Sequence, residues 1–279
     1  MNDFGTRLRA AMTALGPLCV GIDPHPSLLA AWDLPDDATG LERFARTCVE
    51  ALGGQVAVLK PQSAFFERHG SRGVAVLETV LAEIRQTGTL ALLDAKRGDI
   101  GTTMAAYAQA YLDPASPMAA DALTVSPFLG YGSLRPALDV AERHGCGVFV
   151  LALTSNSEGA AVQHARTGDR SVAGDVVAGA AADNAGAVDL GRVGLVVGAT
   201  IGDAVQALGL DLAAAKAPLL APGIGAQGAG PDDLARVFGA ARANVLPSSS
   251  REVLGAGPSV SALRDAAGRT RDAVVEALG

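Results

Sequence analysis

The ten residues Asp94 to Thr103, DAKRGDIGTT, place two carboxylates and a lysine at close spacing after the apolar run Thr89 to Leu93. Asp94 and Lys96 are two apart and therefore share a face if the strand continues through them. A turn permitted by Gly98 would bring Asp99 to the other side of the ammonium. A lysine on a strand invites Schiff-base chemistry, which requires a lowered amine pKa. Carboxylates on both sides favour the charged form instead, so Lys96 reads as a fixed cation and proton donor. Lys60, closing the run Gln55 to Lys60 (QVAVLK), would extend the group to two cations and two anions. The plainer reading of the same residues is a structural ion network.

Two further stretches suit an anion. Gly223 to Gly228 spells GIGAQG and matches the dinucleotide fingerprint GxGxxG, but that fingerprint belongs in a first strand-turn-helix unit with an acid about 20 residues on. Here it lies late in the chain, and the next strand ends in Ser248-Ser249-Ser250-Arg251. A cation and hydroxyls favour a phosphate monoester over a dinucleotide, with plain turn glycines as the remaining reading. The four histidines, His25, His69, His144 and His164, show no ligand spacing and read as surface or turn residues. Lys60 occupies the slot where a metal-binding acid would stand beside Asp94, so no metal site is expected.

These residues need strands to hold them at one end of a sheet. Apolar runs at 18–23, 55–60, 89–93, 122–126, 147–154, 193–200, 218–224 and 243–249 read as eight strands. Helical periodicity appears at 3–15, 41–52, 73–86, 103–112, 133–144, 171–188 and 259–278, with a polar stretch over 155–170 as a candidate lid. Eight strands interleaved with helical stretches and without a boundary linker predict a single α/β domain over 1–279, a (β/α)8 TIM barrel. A doubly wound open sheet is the alternative. The barrel is favoured because Asp23, Lys60, Asp94, Lys96, Ser155, Gly225, Ser250 and Arg251 all follow strand C-termini, where barrel enzymes assemble their sites.

Composition narrows the partners. A net charge of -7 argues against nucleic acid or an anionic membrane, and an apolar share of 49% is ample for a core. No stretch reaches about 18 uninterrupted apolar residues. Cys19, Cys48 and Cys146 lie far apart and read as reduced packing residues of a cytoplasmic protein.

The set GIDP at 21–24, VLKPQSAFFE at 58–67, LLDAKRGDIGTT at 92–103, LTSN at 153–156, VVGAT at 196–200, APGIGAQG at 221–228 and SSREVL at 249–254 resembles orotidine 5'-phosphate decarboxylase. The KPQSAFFE run and the chain length point to its longer bacterial, type 2 subgroup. The resemblance implies a cofactor-free carboxy-lyase of pyrimidine nucleotide synthesis acting on orotidine 5'-phosphate. It implies that Asp23 and Lys60 hold ribose hydroxyls, that Asp94 positions Lys96, and that Lys96 protonates the carbon losing carbon dioxide. It also implies a homodimer in which Asp99 and Thr103 complete the partner's site. Ser155 would contact the pyrimidine beside Pro222, Gln227 would bridge ring and phosphate, and Ser250 and Arg251 with Gly225 would hold the phosphate. The rivals are a magnesium-dependent sugar-phosphate decarboxylase or aldolase and a non-catalytic phosphate-binding barrel.

Overall fold

The computed structural model describes residues 3–223 and 230–279. Eight parallel strands close on themselves: β1 (Cys19–Ile22), β2 (Val58–Pro61), β3 (Leu90–Arg97), β4 (Ala122–Val125), β5 (Gly147–Leu153), β6 (Val193–Val197), β7 (Leu219–Pro222) and β8 (Val245–Ser249). Closure joins β1 to β8 with Cys19 opposite Ser248 and Val20 opposite Ser249. The open-sheet alternative is thereby set aside. Among the described residues no helix is long and apolar enough to cross a membrane.

Strand periodicity decides which side chains enter the barrel. Val58, Leu90, Leu92, Ala122, Phe149, Val196, Leu220 and Leu246 form the inner cluster, whereas Leu59, Ala91, Leu93, Leu123 and Val125 pack outward against helices. Continuing the inner phase by two residues brings Lys60, Asp94 and Thr124 to the same end of the barrel. The other end is closed by the helix Phe4–Leu15, whose Phe4 meets Phe149 edge-on at 6.0 Å. Gly147 is required there, because a Cβ would stand 2.4 Å from the Phe4 ring.

The surrounding helices begin and end where local chemistry dictates. Ala38–Leu52 starts at Asp37, whose carboxylate accepts the Thr39 and Gly40 N–H groups. Val172–Asp183 starts at Ser171, whose hydroxyl accepts from Gly174. It stops five residues short of the expected 188, because Asn184 turns inward to bond the backbone of Val193 and Ala215. Trp32 lies against Phe44 at 4.2 Å and donates to the Leu254 carbonyl, tying the first crossover to the last strand's exit. The polar stretch 155–170 holds two short helical turns and part of a small antiparallel hairpin, Arg166–Thr167 with Arg170–Ser171.

Several strand boundaries differ from the sequence expectation, chiefly at β2 and at β6, which stops at Val197 rather than residue 200. β2 begins at Val58 rather than Gln55, since Val58 is the first residue to pair with both neighbours. β3 runs through the apolar segment to Arg97 and so carries Asp94 and Lys96 within the strand, as their expected shared face requires. Its register against β4 shifts between Leu93 and Arg97.

Candidate active site

The inner ends of the strands surround a cavity of about 560 Å³ lined by Asp23, Lys60, Asp94, Lys96, Thr124 and Ser155 together with Pro222, Ser250 and Arg251. That volume suits a nucleotide-sized ligand. At its floor Asp94 lies between two cations: Lys60 Nζ is 3.0 Å from Oδ2 and Lys96 Nζ is 2.6 Å from Oδ1. Lys60 and Asp94 are 6% and 7% exposed. The Lys96 side chain keeps 44% of its surface and opens onto the cavity.

Electrostatics fix the protonation of this row. Burial alone would raise the Asp94 pKa, but the Lys60 and Lys96 ammoniums, with hydrogen bonds from Lys96 and Thr124, hold it down at about 2. Burial would likewise neutralise Lys60, yet the charges of Asp94 and Asp23 outweigh it and raise its pKa above the ordinary lysine value. Asp94 is thus a carboxylate and Lys60 an ammonium at neutral pH.

Lys96 adopts φ +49°. For a side chain with a Cβ this left-handed conformation costs on the order of 1–2 kcal/mol, so neighbouring bonds must impose it. The Ala95 and Lys96 N–H groups both donate to Thr124 Oγ1 at 3.0 Å, and Thr124 Oγ1 donates to Asp94 Oδ1 at 2.8 Å. On the outer side the Arg97 guanidinium donates to the Ala95 carbonyl, pairs with Glu67 and lies over the rings of Tyr107 and Tyr111. Glu67 in turn accepts from Ser63 at 2.6 Å, so the SAFFE turn after β2 braces the lysine loop.

The backbone freedom expected of Gly98 falls instead on Lys96. Gly98 is needed for space, since a Cβ there would lie 2.5 Å from the Ser126 carbonyl oxygen. The expected bracket of Lys96 by Asp94 and Asp99 is also revised within the single chain. Lys96 pairs with Asp94, while Asp99 accepts from the Ile100 N–H at 2.8 Å and lies outside the residues lining the cavity. Thr103, exposed near the start of the helix Gly101–Leu112, is outside them too.

Polar groups at the rim await a partner. Among the described residues, Asp23 Oδ1 and Ser249 Oγ are buried without a hydrogen bond, a costly state that a polar ligand would relieve. Gly21 permits the approach of β1 to β8 here, because a Cβ would stand 2.0 Å from Ser250 Oγ. Thr154 is gripped by Gln163, whose amide oxygen accepts its N–H at 2.9 Å and whose amide nitrogen donates to its hydroxyl at 2.7 Å. This presents Ser155 to the cavity. Gly225 and Gln227 lie outside the described residues.

Thr124, Gln62 and His25 line the cavity without having been singled out as site residues. His25 is not a simple surface residue, for it packs against Phe65 with ring centroids 4.3 Å apart. Thr124 had a usable signal, being in phase with inward Ala122 and paired next to the strand segment that carries Asp94.

Comparison with known proteins converges on one family. The family model described as orotidine 5'-phosphate decarboxylase / HUMPS family matches residues 16–266. The chain belongs to the orotidine 5'-phosphate decarboxylase family. It is 64% identical over 270 residues to the orotidine 5'-phosphate decarboxylase of Salinispora arenicola, covering 96% of each chain. The Streptomyces coelicolor decarboxylase is 64% identical over 271 residues, again covering 96% of each. A crystal structure from Streptomyces avermitilis described as this decarboxylase has a TM-score of 0.96 at 62% identity, covering 100% of this chain and 96% of that one.

Proposed function

We propose that this chain converts orotidine 5'-phosphate to uridine 5'-phosphate and carbon dioxide, the last step of de novo pyrimidine nucleotide synthesis. The row Lys60–Asp94–Lys96, with its first two members buried and Lys96 opening on a cavity also lined by Ser250 and Arg251, is the observation that supports it most strongly. Kinship with decarboxylases of that name supports the substrate.

In this reading the bond between pyrimidine C6 and the carboxylate breaks, its electron pair stays on C6, and carbon dioxide leaves. Lys96 stabilises the developing charge and then transfers an ammonium proton to C6. Asp94 keeps that ammonium aimed, and Lys60 with Asp23 takes the ribose hydroxyls. Ser155 and Pro222 border the pyrimidine, while Arg251, Ser250, Gly225 and Gln227 hold the phosphate. Enzymatic acceleration commonly needs about 8–23 kcal/mol, more than one lysine supplies. Binding energy from the phosphate is therefore expressed in the transition state.

The functional unit is a homodimer in which Asp99 and Thr103 enter the partner's site. The placement of both outside their own cavity supports this, as do the exposed apolar side chains of Ile100, Phe128 and Leu129 beyond β3 and β4. Three buried, unpaired cysteines support a reducing, cytoplasmic setting.

The test is incubation with orotidine 5'-phosphate without added metal or cofactor. Equimolar uridine 5'-phosphate and carbon dioxide are expected. Binding without turnover would favour a non-catalytic barrel, and turnover only of a sugar phosphate with magnesium would favour the other rival.

A further inference from the structure

The hydroxyl of Thr124 has every hydrogen-bonding position occupied. It stands inward on β4 at 1% exposure, accepts the consecutive N–H groups of Ala95 and Lys96, and donates to Asp94 Oδ1. A hydroxyl carries one proton and two lone pairs. With both lone pairs engaged, the proton is directed to the carboxylate, and the same Oδ1 receives Lys96 Nζ at 2.6 Å. One oxygen therefore touches both the backbone of the lysine and the acid that aims its ammonium.

Lys96 adopts φ +49° between the hydroxyl that accepts its N–H and the Asp94 oxygen that accepts its Nζ. An apolar group in place of the hydroxyl would leave two part-buried N–H donors without their acceptor and Asp94 without one of its donors. The backbone would gain by rotating Lys96 out of the left-handed region, carrying the ammonium with it.

We propose that Thr124 is a positioning residue of the site, acting with Asp94 to hold Lys96 in its left-handed conformation and to fix where the ammonium meets the cavity. The inference rests on the reading that Lys96 delivers the proton. A merely structural threonine would affect stability and leave turnover by folded enzyme unchanged.

Thr124→Val replaces the hydroxyl with a methyl of similar shape, and Thr124→Ser keeps the hydroxyl. The expected result is a kcat for orotidine 5'-phosphate lowered ~100-fold in Thr124→Val, since a displacement of about 1 Å at a reacting group costs that much. KM should remain within ~3-fold, and Thr124→Ser should restore kcat to within ~3-fold. A crystal structure of Thr124→Val should show Lys96 outside the left-handed region or its Nζ beyond hydrogen-bond reach of Asp94. Thr124→Ala, which also lacks the hydroxyl, is read the same way should the valine variant not fold. A kcat within ~2-fold of the parent in a folded hydroxyl-free variant, or an equal loss in Thr124→Ser, would overturn the proposal. Should the parent leave orotidine 5'-phosphate unchanged, the proposed function fails, while an unmoved Lys96 in the crystal would separately overturn the positioning role.

Discussion

Lys60 Nζ and Asp94 Oδ2 stand 3.0 Å apart with both residues almost fully buried, and the remaining Asp94 oxygen is held by Lys96 and Thr124. Such a pair is costly to break because the surviving partner stays buried and uncompensated. Asp94→Asn should destabilise the fold by roughly 3–5 kcal/mol in urea denaturation at neutral pH.

The acid dependence of stability follows from the same pair. The Asp94 carboxyl is depressed from 3.8 to about 2 in the folded chain. Its contribution, on the order of 2 kcal/mol, is therefore present above about pH 4 and is lost as the pH falls towards 2. Urea titrations between about pH 2 and 7 should show the parent losing this increment and Asp94→Asn lacking it. Identical acid slopes in the two proteins would contradict the assignment of the pair.

Arg251, which lines the cavity, is proposed to hold the phosphate. Charge-assisted hydrogen bonds contribute about 1.5–3 kcal/mol, so Arg251→Ala should raise KM ~10- to 150-fold. Added guanidinium ion, which supplies the missing cation, should recover part of the lost turnover. Unchanged steady-state constants would remove Arg251 from the binding site.

The dimer can be tested by complementation. Lys96→Ala and Asp99→Ala subunits should each be nearly inactive alone. Equal mixing with subunit exchange makes half the dimers hybrid, each with one intact site, so activity should recover to about a quarter of the parent's per subunit. No recovery after verified exchange would place Asp99 outside the partner's site.

The barrel was legible because its strands are compact apolar runs, and each inward side chain follows from counting by two. That count places Lys60 with Val58 and Asp94 with Leu92. Thr124 was harder to read, since a β-branched residue in ALTVS looks like ordinary strand packing. Only the pairing of Leu92 with Ala122 shows that it lands beside Asp94. The left-handed backbone at Lys96 was hidden for a related reason. Sequence assigns such conformations to glycine, whereas here a hydroxyl on the neighbouring strand and the Arg97–Glu67 pair impose one on a lysine. The within-chain bracket of Lys96 by Asp99 did not hold, because spacing along a chain cannot distinguish a carboxylate facing its own cavity from one facing away.

The most direct measurement follows the absorbance of orotidine 5'-phosphate with the parent and with folded Lys96→Ala at equal subunit concentration. The account predicts steady loss of absorbance with the parent and none above background with the variant, although the variant still binds uridine 5'-phosphate. Turnover by Lys96→Ala near the parental rate would contradict it.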